Sequence, residues 1–287
     1  MVPNSSDTRI RINDLVVRYG NYTAVDHLNL QIYRGELFGL LGPNGAGKST
    51  TIRVLIGQQI HTSGTVEILQ LDIRKQWQQI KSLFGYVPDR DNLFDEFTGR
   101  RNLQIFASLY QVQASRINQC LEMVELSDAA DVLVSGYSLG MKKKLLLARA
   151  LLHNPPVLYL DEPTANLDIR SAEAVHHILK KHVQQGNTVI LTTHNMHEVE
   201  KICDRVGIMC RGRLIALDSP LALRTKHTER RVDVILHDGN RHEISLDDRH
   251  QLSHLSEWIQ IGKVASMHTR EFDFHSTFLK LTGMTFE

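Results

Sequence analysis

Long apolar runs and net charge are what this sequence lacks. The sequence of 287 residues contains no run of the roughly 18–20 consecutive apolar residues that a membrane-spanning helix requires. The 33 basic and 32 acidic residues leave a formal charge of only +1, which does not indicate binding to nucleic acid or to an anionic membrane. Any role at a membrane would therefore depend on a partner protein.

Cysteine is also scarce. The three residues, Cys120, Cys203 and Cys210, are scattered, odd in number and without a C-x-x-C spacing. This pattern is typical of reduced thiols in a cytoplasmic protein. The first seven residues are polar and lack the apolar segment of a secretory signal, so we expect no signal peptide.

A glycine-rich motif, Gly42-Pro-Asn-Gly-Ala-Gly-Lys-Ser-Thr50, lies between a predicted buried strand (37–41) and a predicted helix (51–56). This context favours a phosphate-binding loop over a glycine-rich turn with an exposed lysine. Glycines let backbone N–H groups converge on phosphate, and the helix N-terminus adds partial positive charge. Lys48 would neutralise the β- and γ-phosphates, and Ser49 would bind Mg²⁺. The predicted nucleotide contacts are Gly42, Pro43, Asn44, Gly45, Ala46, Gly47, Lys48, Ser49 and Thr50.

Two carboxylates, Asp161 and Glu162, follow a second apolar run at residues 157–160. If this run is a strand, Asp161 lies at its carboxyl end, where open α/β sheets bind ligands. Asp161 can hold Mg²⁺ directly or through water, and Glu162 can orient or deprotonate an attacking water. An acidic pair alone is typical of a surface turn, so its place after a buried strand is what favours a functional interpretation.

A histidine occupies the same kind of position. Thr192-Thr-His194 follows the apolar residues 188–191. A histidine there can hydrogen-bond a γ-phosphate and respond to its loss. The chain has 15 histidines, and a lone histidine is usually structural or solvated, so only the strand end singles out His194.

The segment Tyr137-Ser-Leu-Gly-Met141 directly precedes a lysine-rich helical pattern. A serine and a glycine amide at a helix N-terminus can bind a phosphate oxygen. One phosphate loop should not need a second clamp in the same monomer. The redundancy suggests that Ser138 and Gly140 serve a nucleotide bound by another copy.

The remaining pattern alternates apolar strands with helices, which predicts a mostly parallel sheet covered on both faces. Residues 8–35 add antiparallel strands, residues 74–83 a helix, and residues from 99 to about 150 a helical insertion. We predict an α/β domain over residues 1–220 and a small C-terminal α+β domain over residues 221–287.

These motifs occur in the order and spacing of the ABC transporter ATPase family. The resemblance rests on the phosphate loop, residues 137–141, Leu160-Asp-Glu-Pro-Thr-Ala-Asn-Leu-Asp168 and Thr193-His194, and it covers about residues 8–220. The chain is similar to nucleotide-binding subunits of exporters of drugs, polysaccharides or lipids. Tyr-Ser-x-Gly-Met and the ending at residues 278–283 are similar to the daunorubicin-resistance type. The resemblance implies a P-loop ATPase cassette with an antiparallel β-subdomain and a helical insertion.

The resemblance also implies cofactors and an assembly. ATP and Mg²⁺ would be bound between two subunits arranged head to tail, in a homodimer or pseudo-dimer. Each ATP would lie between the phosphate loop of one subunit and the Ser138 segment of the other. The residues expected to reach the partner's nucleotide are Ser138, Gly140, Met141 and Asp168, the last of which would couple the two sites.

The implied roles within one subunit are more local. Tyr19 would stack on adenine; the alternative is that it is an ordinary aromatic residue of a strand. Val25 would also contact the nucleotide. Glu162 matches the family's general base, His194 its γ-phosphate switch, and Lys48 its catalytic lysine.

Three positions depart from the family pattern. The usual signature is Leu-Ser-Gly-Gly-Gln, whereas here Leu139 replaces the first glycine and Met141 the glutamine. Ser138 and Gly140 remain, so we expect function, with Leu139 needing space at closure. Asp89 stands after a proline where many members have glutamine and relatives of this branch often have glutamate. It would reach Mg²⁺ only through water, or serve only the permease contact.

Residues 84–101 and the insertion after them are where such proteins meet their membrane partner. The apolar cluster Leu93-Phe94-Asp-Glu-Phe97 could form a groove for a permease helix, or it could simply pack beneath the insertion. The lysine run 142–144 favours a solvated helix face over a nucleic-acid patch because the overall charge is balanced. We expect no nucleic-acid partner.

The leading hypothesis is an exporter's ATPase motor, held at the cytoplasmic face of the membrane by a separate transmembrane permease. The alternative is a soluble ATPase of the same class acting in translation, on DNA or on chromosomes. Such relatives usually carry two cassettes or a long coiled coil, and this sequence has one phosphate loop and no sustained heptads. A regulator without transport is a third possibility. Residues 221–287 could dimerise, regulate or shield the cassette.

Overall fold

Residues 7–227, 231–269 and 274–283 are described by the structure, which is a computed structural model. The chain divides into two compact units, one up to Pro220 and one from Leu221. The polar N-terminal residues 1–6, used above to argue against a signal peptide, lie outside the described ranges. Within those ranges, no helix has the length and apolar character needed to cross a membrane.

The first unit alternates strands and helices. Its strands are β1 (Thr8–Tyr19), β2 (Tyr22–Tyr33), β3 (Leu37–Leu41), β4 (Ser63–Ile68), β5 (Leu71–Asp72), β6 (Phe84–Val87), β7 (Val157–Asp161), β8 (Thr188–Thr193), β9 (Arg205–Cys210) and β10 (Arg213–Asp218). Its helices are α1 (Lys48–Leu55), α2 (Trp77–Ile80), α3 (Gly99–Leu109), α4 (Ala114–Met123), α5 (Leu139–Leu151), α6 (Ile169–Gln184) and α7 (Met196–Ile202). A further helix, α8 (Pro220–His227), begins at the boundary and has no counterpart among the sequence predictions.

The central sheet has the strand order β10-β9-β3-β8-β7-β6. Only β9 and β10 pair antiparallel; the other neighbours are parallel, which confirms the predicted sheet. Strands β3, β7 and β8 are buried along their whole length, as is usual when helices cover both faces. Their carboxyl ends bring the phosphate loop, Asp161 and the segment after Thr193 to one edge.

A second sheet of order β2-β1-β4-β5 is antiparallel. Its inward side chains, such as Ile10 and Leu28, are fully buried, while alternate residues face solvent, which gives the predicted period of two. The turn between β1 and β2 contains Gly20 at a φ of 58°. Tyr19 and Tyr22 therefore lie opposite each other at the end of the hairpin.

The helix predicted over residues 74–83 is wrong in length, because α2 has only four residues. The Asp72 side chain explains the later start of the helix. Its Oδ1 accepts hydrogen bonds from the backbone N–H groups of Arg74 (2.8 Å) and Lys75 (3.1 Å). Such a turn satisfies donors that a helix would otherwise use and delays the start of the helix.

Helices α3, α4 and α5 form the predicted insertion between β6 and β7. They pack through buried side chains that recur at helical spacing, including Leu103, Leu121 and Leu145. The N-terminal end of α5 comes to the same edge of the molecule as the loop after β7, where Lys143 contacts Glu162.

The second unit contains β11 (Arg231–Leu236), β12 (Arg241–Ser245), α9 (Arg249–Gln260), β13 (Val264–Thr269) and α10 (Phe274–Thr282). Its antiparallel sheet has the order β12-β11-β13. The predicted Asp-Gly turn joins β11 to β12, with Gly239 at a φ of 84°. A small core of Val232, Val234, Leu236, Ile244 and Leu255 holds the sheet against α9.

Candidate functional site

The predicted phosphate loop connects β3 to α1. Gly47, the last residue before the helix, has a φ of 103°, and a Cβ there would lie 2.5 Å from the backbone oxygen of Ala24. Only glycine fits this close approach. Among the described residues, no side chain caps α1, and its first turn carries no acidic residue. The first amides of α1 and its partial positive charge are therefore available to an anion.

Lys48 is the first residue of α1 and is only 6% exposed. Its Nζ donates to the backbone oxygens of Gly42 (2.6 Å) and Pro43 (3.1 Å). Burial lowers the pKa of Lys48, while the negative charges of Glu162 and Asp161 act in the opposite direction. The ammonium group is thus held in place before any phosphate arrives.

Asp161 ends β7 and is buried, with 8% exposure. Its Oδ1 accepts a hydrogen bond from Ser49 Oγ (3.1 Å) and a short one from Thr192 Oγ1. The sequence predicts Ser49 and Asp161 as metal ligands. It does not predict the contact from Thr192, although this residue lies in the motif that ends at His194.

The oxygen donors of Ser49 and Asp161 are of the kind that Mg²⁺ prefers. No group of three or more His, Cys, Asp or Glu side chains that could hold a metal occurs in the described part of the chain. Mg²⁺ usually binds through one or two protein ligands together with nucleotide phosphates and water. The residues present fit a metal that arrives with its nucleotide.

Glu162 follows β7 in the left-handed region, at a φ of 49°. A non-glycine residue held in that region costs about 1–3 kcal/mol and persists only where its surroundings fix it. Its backbone N–H donates to the oxygen of Thr192 (3.0 Å). The Glu162 carboxylate lies 3.0 Å from Nδ1 of His194, so the structure brings together the two side chains singled out at the strand ends.

The loop, the carboxylates and two tyrosines line an open cavity of about 250 Å³. It is lined by Tyr19, Tyr22, Ala24, Asn44, Gly45, Ala46, Gly47, Lys48, Ser49, Thr50, Asp89, Asp161 and Glu162. Most of the residues predicted to bind nucleotide in their own subunit therefore line the same cavity. Gly42 and Pro43 are not part of this lining but hold Lys48 through their carbonyl groups.

Among the residues of the second hairpin strand, Tyr22 and Ala24 line the cavity and Val25 does not. Tyr22 was missed: it is 58% exposed, and its hydroxyl donates to the oxygen of Gly45 at 3.4 Å. Its position opposite Tyr19 across a two-residue turn is the signal that could have found it. Val25 was expected at the nucleotide, but its side chain is fully buried in the core. Ala24 lines the cavity in its place because Val25 faces inward from β2.

The first residues of the Ser138 segment form what we call the α5 turn (residues 138–140). Ser138 caps α5, since its Oγ accepts a hydrogen bond from the backbone N–H of Met141 (3.2 Å). Leu139 projects outward with 45% exposure. None of the α5 turn belongs to the cavity lining given above, so in its own chain the turn does not contact the candidate nucleotide site.

Gly140 and Asp168 meet through one serine. A Cβ on Gly140 would lie 2.7 Å from Ser171 Oγ. Asp168 caps α6, accepting hydrogen bonds from Ser171 N (3.0 Å) and Ser171 Oγ (2.6 Å). The two segments expected to act across a dimer thus pack against each other in one chain.

Asp89 lies on the cavity wall, and its backbone oxygen accepts a hydrogen bond from Nζ of Lys143 (2.6 Å). The predicted solvated lysine face is wrong at Lys143, which is only 4% exposed. Lys142, by contrast, reaches outward to Asp95 at 2.8 Å. The reason is that the loop after β6 supplies a carbonyl directly beneath α5, and sequence spacing does not reveal it.

The rings of Phe94 and Phe97 lie 5.6 Å apart and are 42% and 40% exposed. Asn102, fully buried, fixes the backbone on either side of Phe97: its Nδ2 donates to the oxygens of Phe94 (3.0 Å) and Thr98 (3.1 Å), and its Oδ1 accepts from Phe94 N (2.9 Å). This Phe94–Phe97 patch is therefore held at the surface and only partly covered.

Comparison with known proteins identifies relatives of this chain. Residues 25–165 match the family model described as ABC transporter. The Nod factor export ATP-binding protein I of Mesorhizobium japonicum is 38% identical over 248 residues, which are 85% of this chain and 73% of that protein. A fluoroquinolones export ATP-binding protein of Mycobacterium tuberculosis is 35% identical over 96% of this chain and 93% of its own length.

Solved structures share the fold. CbiO1 of Clostridium perfringens, part of the CbiONQ transporter complex, has a TM-score of 0.71 at 27% identity and covers 77% of this chain and 92% of its own. A dimeric ATP-binding cassette in a post-hydrolysis state, bound to ADP and Pi, has a TM-score of 0.67 at 25% identity over 73% of this chain and 98% of its own. The phosphate loop, the paired carboxylates and these relatives agree: the chain belongs to the ABC transporter family as an ATP-binding, ATP-hydrolysing subunit.

Proposed function

We propose that the chain is the motor subunit of an exporter and that it drives a separately encoded permease. The names of its relatives support export, and the fluoroquinolones export protein matches nearly the whole chain. The observation that carries the motor role is the meeting of the Ser49–Asp161 contact and the Glu162–His194 pair at one edge of the sheet.

In this proposal the phosphates of ATP lie over residues 42–50, and Lys48 neutralises them. Ser49 and Asp161 would hold Mg²⁺ together with phosphate oxygens, and Asp89 would reach it only through water; the metal would supply further charge neutralisation. Glu162 takes a proton from the attacking water as that water approaches the γ-phosphorus in line. His194, hydrogen-bonded to that carboxylate, orients it and contacts the γ-phosphate.

The site is completed by a second subunit. The α5 turn lies outside the cavity of its own chain, and a solved cassette of this fold is dimeric. Ser138 and Gly140, with Met141 behind them and Asp168 beside them, would close over the partner's nucleotide in a homodimer or pseudo-dimer. ATP binding would close the pair, and hydrolysis would reopen it.

The Phe94–Phe97 patch is the proposed contact with the permease. Two aromatic rings held partly exposed by a buried asparagine suit a helix that lays its apolar face on them. The chain would sit at the cytoplasmic face of the membrane through this contact. The nearly neutral net charge gives no support for a nucleic-acid partner.

Replacement of Glu162 by glutamine tests the motor role. Glu162→Gln keeps shape and hydrogen bonding but cannot accept a proton, so turnover should fall about 100-fold or more while ATP binding persists. The variant should accumulate as an ATP-bound dimer in size-exclusion chromatography, and a multi-span membrane protein should co-purify with it. Turnover close to that of the unaltered chain would contradict the assignment of Glu162 as the base.

A further inference from the structure

Lys143 differs from the lysines on either side of it. Lys142 and Lys144 reach outward to carboxylates, 2.8 Å from Asp95 and 2.8 Å from Glu125 respectively. Lys143, between them, turns inward and is only 4% exposed. A buried ammonium group is unfavourable unless it is fully hydrogen-bonded or paired, so this side chain must have specific partners.

Those partners are backbone groups at the edge of the nucleotide site. Nζ of Lys143 donates to the oxygen of Asp89 at 2.6 Å and to the oxygen of Glu162 at a longer 3.4 Å. Asp89 follows β6 and Glu162 follows β7, and these two strands are parallel neighbours. Lys143 thus joins α5 to the ends of two adjacent strands. Burial lowers its pKa, while the charges of Asp89, Asp161 and Glu162 act in the opposite direction.

The contact with Glu162 falls on a strained residue. Glu162 has a left-handed backbone, and its N–H is held by the oxygen of Thr192. Lys143 contacts the other side of the same residue, at its carbonyl oxygen. A strained conformation persists where neighbouring groups fix it from several directions, and the direction of the Glu162 carboxylate depends on that backbone.

The α5 turn begins the same helix, three to five residues before Lys143. Gly140 packs against Ser171, which in turn hydrogen-bonds Asp168. Because α5 is one continuous helix from Leu139, a movement of the α5 turn would also displace Lys143 and the Glu162 backbone that it contacts.

We propose that Lys143 is a positioning residue that couples the two ATP sites of the dimer. It fixes the Glu162 backbone of its own site to the helix whose first turn closes over the partner's nucleotide. Hydrolysis at one site then depends on closure at the other. The inference rests on the proposed function, in which Glu162 is the base and the α5 turn acts across the dimer.

Lys143→Met tests the coupling, because methionine keeps an unbranched side chain and removes the donors. Charge-assisted hydrogen bonds of this kind lead us to expect kcat to fall about 10- to 100-fold, with KM for ATP within about twofold since no ATP contact is lost. The Hill coefficient for ATP should fall to about 1. Lys143→Arg should recover most of kcat, and Lys142→Met and Lys144→Met should stay within about twofold of the unaltered chain.

Three results would overturn the proposal. Unchanged kcat and Hill coefficient in Lys143→Met would show that the contact does not position Glu162. A raised KM with unchanged kcat would instead make Lys143 a nucleotide contact. Equal loss of activity and of thermal stability in Lys143→Met and Lys143→Arg would reduce it to a packing residue.

Failure of the proposed function would look different. Near-normal turnover by Glu162→Gln would overturn the assignment of the base itself. A block in Glu162→Gln together with normal turnover and cooperativity in Lys143→Met would leave the base in place and remove only the coupling.

Discussion

The phosphate loop and the α5 turn, both of which we propose to contact phosphate, are built in opposite ways. The loop is buried and tied down: Lys48 is 6% exposed and already bonded to two carbonyl groups. The α5 turn lies at the surface, with Leu139 45% exposed and the Ser138 hydroxyl engaged in capping its own helix.

This difference predicts that the loop determines ATP binding, whereas the α5 turn is needed for hydrolysis. A site whose donors are fixed in advance binds its ligand without reorganising, so the loop should hold ATP in an isolated chain. An exposed turn contributes only when another surface covers it. Changes in the loop should therefore weaken ATP binding by the monomer, and changes in the α5 turn should spare binding but not hydrolysis.

The largest effect is expected from Lys48→Met. Loss of a buried, hydrogen-bonded charge opposite a phosphate should weaken ATP binding by the monomer at least about 100-fold. Isothermal titration calorimetry measures this directly, with Lys81→Met, an exposed lysine, as the matched control. Tight ATP binding by Lys48→Met would mean that the loop is not the principal phosphate site.

A pair of alanine substitutions contrasts the two segments. Gly47→Ala places a Cβ 2.5 Å from a backbone oxygen at a φ of 103° and should lower stability by about 2 kcal/mol, a drop in Tm of roughly 4–8 °C. Leu139→Ala removes an exposed side chain and should change stability by less than about 0.5 kcal/mol. Thermal unfolding followed by circular dichroism compares them, and equal losses would contradict the contrast.

The smallest effect is expected at Tyr19, where the adenine base of the nucleotide would bind. Tyr19→Ala should weaken ADP binding about 5-fold through lost stacking, but leave the binding of tripolyphosphate, which has no base, unchanged. Tyr22→Phe keeps its ring and loses only the long contact to Gly45, so it should stay within about twofold. Equal weakening of ADP and tripolyphosphate by Tyr19→Ala would assign Tyr19 to the shape of the loop instead.

The sheet and the loop could be predicted from the sequence because both depend on local pattern. Residues 37–41 and 157–160 are continuous apolar runs of strand length, and each is followed at once by polar groups whose chemistry suits phosphate or metal. The shared edge of a parallel sheet then brings these groups together without any further information.

Features that the sequence did not reveal concern side chains whose partners are distant in the sequence or whose direction is set by tertiary packing. Lys143 is indistinguishable from its neighbours until the carbonyl of Asp89, more than fifty residues away, is placed beneath it. Val25 faces the core because of its strand register, and Asp72 delays the start of a helix by binding two backbone donors. Periodicity specifies which residues are apolar, but not these individual partners.

The central claim is that each ATP site is completed by the α5 turn of a second chain. The most direct test mixes Lys48→Met and Ser138→Arg chains, both carrying Glu162→Gln so that bound ATP is not consumed. It measures the ATP that remains trapped in the dimer fraction after gel filtration, which removes ATP bound only to the loop of a single chain. Completion across the dimer predicts that the mixture retains ATP several-fold above either variant alone, because each mixed dimer contains one intact loop facing one intact turn. Retention no higher than the average of the two variants would contradict it and would place both segments in the same chain's site.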